Sequence, residues 1–221
     1  MFFFVDSMNG YSDYQKKVFS YIRNMFGKNF IIGGGNIVDE NGFKFLAEEC
    51  DANFVKVGMA GGKLVPEKEE FGVGLGQVTA IRNVVKARDE FYKKTGRYIP
   101  ICSDGNIKSD YQIAVALALG ADYVMMGRYF AGFVESPSRL SFIKGKPYKE
   151  HWGECSTHVT VQINDSNCTP EMGIDSYIPC KGTLQDGIDI TIKKLRKIIH
   201  QCGYLALDNF KGNCDMIISD N

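Results

Sequence analysis

Two short motifs carry residue types suited to holding an anion. Ser103-Asp104-Gly105-Asn106 follows an apolar run ending at Cys102, and Gly127-Arg128 follows the next such run. Loops after the last two strands of a (β/α) barrel commonly build a phosphate site. Glycine lets backbone N–H groups approach the anion, and a helix N-terminus adds positive potential. Arg128 would add a charge. The plainer reading makes both motifs ordinary strand-to-helix turns, with glycine for geometry and Asp104 as a helix cap. As a pair on successive strands they point to a phosphorylated ligand. A third region runs from Gly58-Met59-Ala60-Gly61-Gly62-Lys63-Leu64-Val65 to Phe71-Gly72-Val73-Gly74-Leu75-Gly76-Gln77. So many glycines outside an element mean unusual backbone angles or close ligand approach, but they do not form a nucleotide fingerprint.

The elements that must position these motifs are short β-rich runs alternating with longer helical patterns. Strands are expected at Phe2–Val5, Phe30–Ile32, Phe54–Gly58, Ile99–Cys102 and Tyr123–Met126. Helices are expected at Asp13–Phe26, Asn41–Cys50, Gln77–Thr95, Asp110–Leu119 and Gln185–Gln201. In the first helix Tyr14, Val18, Ile22 and Phe26 recur every fourth residue as one apolar stripe. Gly96, Gly120 and Gly203 stand where helix C-caps belong. The stretch Leu46–Gly58 is echoed by Val115–Gly127: a helix end, a tight turn, a buried strand, then glycine. That is one βα unit used twice, as in a barrel, although a doubly wound open sheet shows the same alternation. Residues 129–185 break the pattern, with a hairpin expected around Lys144-Gly145-Lys146 and a polar stretch from Ser156 to Pro170.

The 221 residues suffice for one domain with a real core. With 26 basic and 26 acidic residues, no field of one sign marks a nucleic-acid or membrane partner. Seven cysteines (Cys50, Cys102, Cys155, Cys168, Cys180, Cys202, Cys214) are spread without a Cys-x-x-Cys pair. They read as reduced thiols in the cytoplasm, not as a disulfide framework or a zinc site. The apolar start Met1–Val5 stops at Asp6, too short for a signal-peptide core or a membrane span. It reads as a barrel strand without a lead-in, as expected of a chain cut from something longer.

Many motifs then fall into one register. Asp6-Ser7-Met8-Asn9-Gly10, Gly34-Gly35-Asn36-Ile37-Val38, Lys56-Val57-Gly58, Gly74–Ala80, Ser103-Asp104-Gly105, Gly120-Ala121-Asp122, Met126-Gly127-Arg128, Glu135-Ser136-Pro137, Tyr148–Glu154 and Gly173–Pro179 come in the order and spacing of IMP dehydrogenase. The chain resembles that family over nearly its whole length, and the branch of parasitic protozoa in particular. The resemblance implies NAD-dependent oxidation of IMP to XMP in guanine nucleotide synthesis, with NAD and K+ as cofactors. It implies that Asp104, Gly105, Gly127 and Arg128 surround the IMP phosphate and ribose. Gly153 and Glu154 would approach the purine, and Asp6 and Ser7 would face the nicotinamide ribose. The Gly58–Val65 loop would carry the catalytic cysteine and wrap the cation.

Against that family the chain departs at several positions. Val65 occupies the cysteine position, so no catalytic residue is assigned; valine has no lone pair for covalent catalysis. Lys63 replaces a serine, and Glu67 and Lys68 replace a threonine and an arginine. The water-activating Arg-Tyr pair has no match between Ser156 and Pro170, where His158 reads more simply as a solvated loop residue. His151, Cys155 and Met172 replace a tyrosine, a glycine and a base-contacting Gln or Glu. Cys155 could be offered as a substitute nucleophile, but a small buried thiol is the plainer reading. The family's Glu-Gly-Gly of the cation site is not found at the C-terminus.

The expectation is therefore an α/β fold: a partial (β/α)8 TIM barrel of about five C-terminal βα units with a flap insertion at 129–185, all in one incomplete domain, 1–221. The first three strands would be missing. An open arc would bring Val5, Ile32, Val55, Ile101 and Val124 to its uncovered inner face or flanks, and would favour a homo-oligomer or a second chain that supplies the missing strands. The function expected is that of an impaired IMP dehydrogenase; the alternative is a non-catalytic binder of IMP or another purine nucleotide.

Overall fold

The computed structural model describes residues 2–27, 29–59, 72–105, 107–152 and 176–217. Five strands form a parallel sheet: β1 (Phe2–Asp6), β2 (Ile31–Ile37), β3 (Phe54–Val57), β4 (Ile101–Asp104) and β5 (Tyr123–Met125). They pair in chain order, β1-β2-β3-β4-β5. A doubly wound sheet reverses its order at a switch point, whereas a barrel advances one neighbour at a time. The unreversed order identifies the sheet as an arc of a (β/α) barrel, as expected.

The crossovers are α1 (Asp13–Phe26), α2 (Glu40–Lys44), α3 (Gln77–Thr95) and α4 (Asp110–Ala118). Beyond β5 come α5 (Gly127–Ala131), α6 (Leu184–Gln201) and α7 (Leu207–Phe210). Local chemistry starts each long helix. The Ser12 hydroxyl accepts from Gln15 N, Thr183 accepts from Asp186 N, and Ser109 with Gln112 forms a capping box. Asp104 is thus not the cap of α4. Gly96 takes the left-handed conformation that closes α3. The second helix is not one regular rod. After α2 the backbone makes a π-helical turn over Phe45–Glu49, which buries Phe45, Leu46 and Ala47.

The expected stripe on α1 is rotated by about one position. Gln15 and Phe19 form the buried contact, Val18 and Ile22 flank it, and Tyr14 and Phe26 are exposed. The reason is polar. Gln15 Nε2 donates to the carbonyls of Val5 (3.0 Å) and Gly35 (2.9 Å) and to Ser7 Oγ (2.9 Å). A fully buried amide that satisfies strand-end carbonyls outranks an aromatic ring that can stay at the surface.

Strand β2 runs longer than expected, through Gly33, Gly34 and Gly35. Glycine disfavours strands unless something must come close. Here a Cβ on Gly33 would lie 2.2 Å from the Phe54 ring, one on Gly34 2.9 Å from Phe19, and one on Gly35 2.6 Å from the Lys56 carbonyl oxygen.

Side chains alternate across the sheet. Val5, Ile32, Val55, Ile101 and Val124 point outward into the main core beneath the helices, with Phe43, Leu46, Ile81, Val84 and Ile113. This corrects their assignment to the inner face. The opposite face carries Phe4, Phe54 and Tyr123, whose rings follow one another at 5.7 and 6.4 Å.

The hairpin expected at Lys144-Gly145 is present. Strands β6 (Leu140–Ile143) and β7 (Lys146–His151) are antiparallel, and Lys144 and Gly145 both have positive φ, 50° and 75°. That pair makes the tight turn whose twist suits a hairpin. A third strand, β8 (Ser176–Pro179), completes a small antiparallel sheet. Lys149, almost fully buried, donates to the Ser136 carbonyl at 2.9 Å, and the Glu135 carboxylate accepts from Leu184 N at the start of α6. The Glu135-Ser136-Pro137 motif is thereby a brace for this sheet. Among the described residues no helix is long and apolar enough to cross a membrane.

Candidate functional site

Above the aromatic layer, at the C-terminal ends of the strands, the inner face turns polar. Lys56 on β3 is the centre, with its side chain only 6% exposed. Its Nζ lies 3.0 Å from both carboxylate oxygens of Asp6 on β1 and 2.9 Å from Asp104 Oδ2 on β4. It sits 5.0 Å from the centroid of the Phe4 ring and 3.6 Å from Met125 Sδ. Asn36 Nδ2, at the end of β2, reaches Asp104 Oδ2 at 3.4 Å. Side chains of β1, β4 and β5 thus converge on the ammonium from β3, and Asn36 of β2 joins them through Asp104. Burial works against the Lys56 charge, but hydrogen bonds and attraction from Asp104 and Asp6 outweigh it, so its pKa is raised.

The surrounding backbone is shaped by glycine. Gly58 has φ 141° and lies so close to the next strand that a Cβ there would fall 1.9 Å from the Asp104 carbonyl oxygen. Gln77, the first residue of α3, donates from Nε2 to the Val57 carbonyl (2.8 Å) and to Ser103 Oγ (3.0 Å), tying β3 and β4 together. Two buried acceptors here, Asn36 Oδ1 and Gln77 Oε1, have no partner among the described residues. A buried acceptor without a donor is costly, so each is a place for a ligand or solvent hydrogen.

Asp104 pairs in register with Met125, so Gly105 and Gly127-Arg128 are the exits of adjacent strands. A Cβ on Gly127 would meet nothing within 4 Å among the described residues. Arg128 is half-buried and makes no ion pair among the described residues. Burial and the Arg128 charge push the His151 pKa down, and burial together with Arg128 and Lys194 does the same to Lys181 despite Asp110 nearby. Arg128, His151 and Lys181 are thus neighbours near the exit of β5.

The remaining expected site residues divide as follows. Asp6 is exposed and keeps acceptor capacity beside Lys56. Ser7 spends its hydroxyl proton on the Gly35 carbonyl (3.1 Å) and accepts from Gln15. Gly153, Glu154 and Val65 lie outside the described residues, as do Lys63, Glu67, Lys68, Cys155, His158, Met172 and the segment from Ser156 to Pro170. Cys102 is buried and its thiol is pushed up to about 12, mainly by burial, so it is no nucleophile at neutral pH. No group of three His, Cys, Asp or Glu among the described residues could hold a metal ion. Sequence reading missed Lys56, Asn36, Gln15 and Gln77 as individual actors. The signal for Lys56 was a lone cation inside the apolar run Phe54–Val57.

Residues 2–220 match the model of the IMP dehydrogenase / GMP reductase domain. An inosine-5'-monophosphate dehydrogenase of Tritrichomonas foetus is 40% identical over 219 residues, which cover 97% of this chain and 43% of that protein. A GMP reductase of Lactobacillus gasseri is 30% identical over 201 residues, 90% of this chain and 56% of that protein. An inosine-5'-monophosphate dehydrogenase of Halalkalibacterium halodurans is 30% identical over 221 residues, 96% and 44% respectively. The chain spans about half the length of these relatives. With a matching family domain over almost every residue and a barrel arc that presents its polar groups at the strand C-termini, this chain belongs to the IMP dehydrogenase / GMP reductase family.

Proposed function

We propose that the chain binds a purine nucleotide, IMP in the first instance, in guanine nucleotide metabolism, and that it is an IMP dehydrogenase-type protein impaired in its covalent step. One observation carries the binding half: Asp104-Gly105 and Gly127-Arg128 leave adjacent strands, with room at Gly127 among the described residues. Asp104, Gly105, Gly127 and Arg128 would hold phosphate and ribose, and Gly153 and Glu154 would approach the base. The impairment rests on Val65 at the cysteine position and on the missing Arg-Tyr pair. Without a thiolate no adduct at purine carbon 2 forms. The same observation favours the second reading, a non-catalytic nucleotide binder or partner subunit.

For NAD, the cofactor implied by the family, the residues present fit in part. Asp6 would offer an exposed carboxylate to the nicotinamide ribose, and Asn36 Oδ1, at the end of the next strand, has no donor among the described residues. Ser7, its proton already donated to Gly35, positions the β1 exit, and Gly58 allows the close backbone approach. NAD would supply the hydride acceptor; the chain's own part is to fix the ribose and keep Lys56 neutralising the two carboxylates. The K+ site implied by the family would be incomplete, because its loop is altered between Gly58 and Val65. The open arc would be closed by a second copy or by a chain carrying further barrel strands, and the whole of 1–221 would form one domain. The five described cysteines are all free thiols, which supports a cytoplasmic setting.

Calorimetric titration with IMP and with inosine tests the binding. A charge-assisted bond to phosphate contributes roughly 1.5–3 kcal/mol, so inosine should bind about ten- to a hundredfold more weakly, and Arg128→Ala should erase much of that difference. Equal affinity for IMP and inosine would refute the phosphate site.

A further inference from the structure

Where the start of α4 meets α5 and α6, the described residues enclose a cavity of about 310 Å³. Its charged lining consists of Lys108, Lys181, Lys194 and a single carboxylate, Asp110. Both oxygens of that carboxylate are already engaged. Thr191 Oγ1 donates to Asp110 Oδ1 at 2.6 Å, and Lys194 Nζ donates to Oδ2 at 2.8 Å. Tyr129 Oη lies 2.6 Å from Thr191 Oγ1, so Tyr129, Thr191, Asp110 and Lys194 form one hydrogen-bonded chain along the wall.

Lys181 is fixed at the other end of that chain. Its backbone N–H donates to the Gly132 carbonyl at 2.8 Å, and its stem packs over Gly132, where a Cβ would lie 3.3 Å from Cγ and Cδ. Its ammonium sits 4.4 Å from the centroid of the Tyr129 ring. Among the described residues neither Lys108 nor Lys181 forms an ion pair. Burial pushes the Lys181 pKa down despite Asp110, and Arg128 and Lys194 add to the effect; an anion in the cavity would relieve it.

We propose that this cavity binds a small phosphate-type anion, held by the ammonium groups of Lys108, Lys181 and Lys194. Three cations around one spent carboxylate leave positive charge facing a recess, which draws in counter-ions. Lysine meets phosphate oxygens as a point charge and needs no forked geometry. The volume lies at the small end of ligand cavities, roughly 300–1,000 Å³, which suits a phosphate or pyrophosphate group better than a whole nucleotide. None of Asp104, Gly105, Gly127 and Arg128 lines the cavity, so the proposal stands apart from the nucleotide reading.

Pyrophosphate is the probe, added to the full chain at about 0.15 M salt, where surface attraction is screened beyond roughly 8 Å. Lysines are acetylated with a water-soluble N-hydroxysuccinimide ester, with and without pyrophosphate, and each site is quantified by peptide mass spectrometry. Lys108 and Lys181 should be protected, in wild type and in Arg128→Ala alike, while the exposed Lys17 on α1 is labelled equally in both conditions. By calorimetry, Lys181→Met should weaken pyrophosphate binding about ten- to a hundredfold, the loss of one charge-assisted bond. A nucleoside diphosphate run in parallel identifies the source: the tighter of the two ligands shows whether the site takes a free anion or the phosphate end of a larger molecule. Equal labelling of Lys108 and Lys181 with and without pyrophosphate would overturn the proposal, and this readout on the wild type holds even if a variant fails to fold. So would protection that disappears in Arg128→Ala, which would place the anion at the β5 exit and leave the nucleotide reading standing.

Discussion

A lysine between two carboxylates is the residue on which the site turns. With Lys56 removed, Asp6 and Asp104 would face each other without a countercharge. Because Asp6 is largely exposed, water would relieve part of that repulsion. Lys56→Met should therefore cost about 1–3 kcal/mol at neutral pH, measured by urea unfolding. The pH dependence has a definite sign. The folded pKa of Lys56 is raised above 10.5, so its contribution is fully present below that pH and is lost as pH rises through the folded value. The stability gap between wild type and Lys56→Met should narrow above pH 10.5; a gap that stays constant would mean the ammonium contributes nothing as a charge. A second prediction concerns Val65. The Val65→Cys variant should accumulate a covalent IMP adduct, visible by intact mass, without sustained NADH formation, because residues that act as a unit do not contribute additively. Full steady-state turnover from that one change would show that water activation survives elsewhere in the chain.

Elements here are held by glycines for two distinct reasons, and substitution can separate them. Gly35 is crowded: a Cβ would press on the Lys56 backbone, and Lys56 cannot retreat without breaking its two ion pairs. Gly35→Ala should cost about 2–3 kcal/mol and weaken any ligand binding at the β1–β3 exits. Gly145 has open space around it but a φ of 75°. Gly145→Ala should cost only about 1 kcal/mol, the backbone strain of a left-handed alanine, and leave ligand binding untouched. Thermal melts of the two variants should rank them in that order, and a reversed order would mean β2 can bulge to admit a methyl group. The same logic explains β2 itself. A run of three glycines reads as a loop, yet here it is a central strand, because the neighbouring chains fill the space where side chains would be.

The whole molecule leaves apolar surface at both flanks of the arc. Phe2 on β1 is 73% exposed, Tyr14, Tyr21 and Met25 lie open on α1, and at the β5 side Met125, Ile190 and Ile192 do the same. Within the described sheet β1 and β5 each pair on one side only. Unpaired strand edges beside apolar patches invite association. The chain should therefore sediment as species larger than a monomer in analytical ultracentrifugation, with growth at higher concentration, and should bind a fluorescent apolar dye. A sharp monomer boundary with little dye binding and one cooperative melt would show that the arc is self-sufficient.

Periodicity and punctuation in the sequence determined the alternation of strands and helices, the ends at Gly96 and Gly120, the hairpin at Lys144-Gly145 and the motifs at Asp104 and Gly127. These features depend on residues close together in the chain, where propensity and backbone sterics act directly. Tertiary structure decided what local rules leave open. Alternation along a strand defines two faces but not which one meets the helices; packing placed Val5, Val55 and Ile101 outward and left Phe4, Phe54 and Tyr123 inward. Strand order chose the barrel arc over the doubly wound sheet. The pairing of Lys56 with Asp6 and Asp104 needed β1, β3 and β4 to be gathered into one sheet before their charges could meet. Electrostatic partners separated by about fifty residues of chain are brought together by the fold, and no spacing in the sequence encodes them on its own.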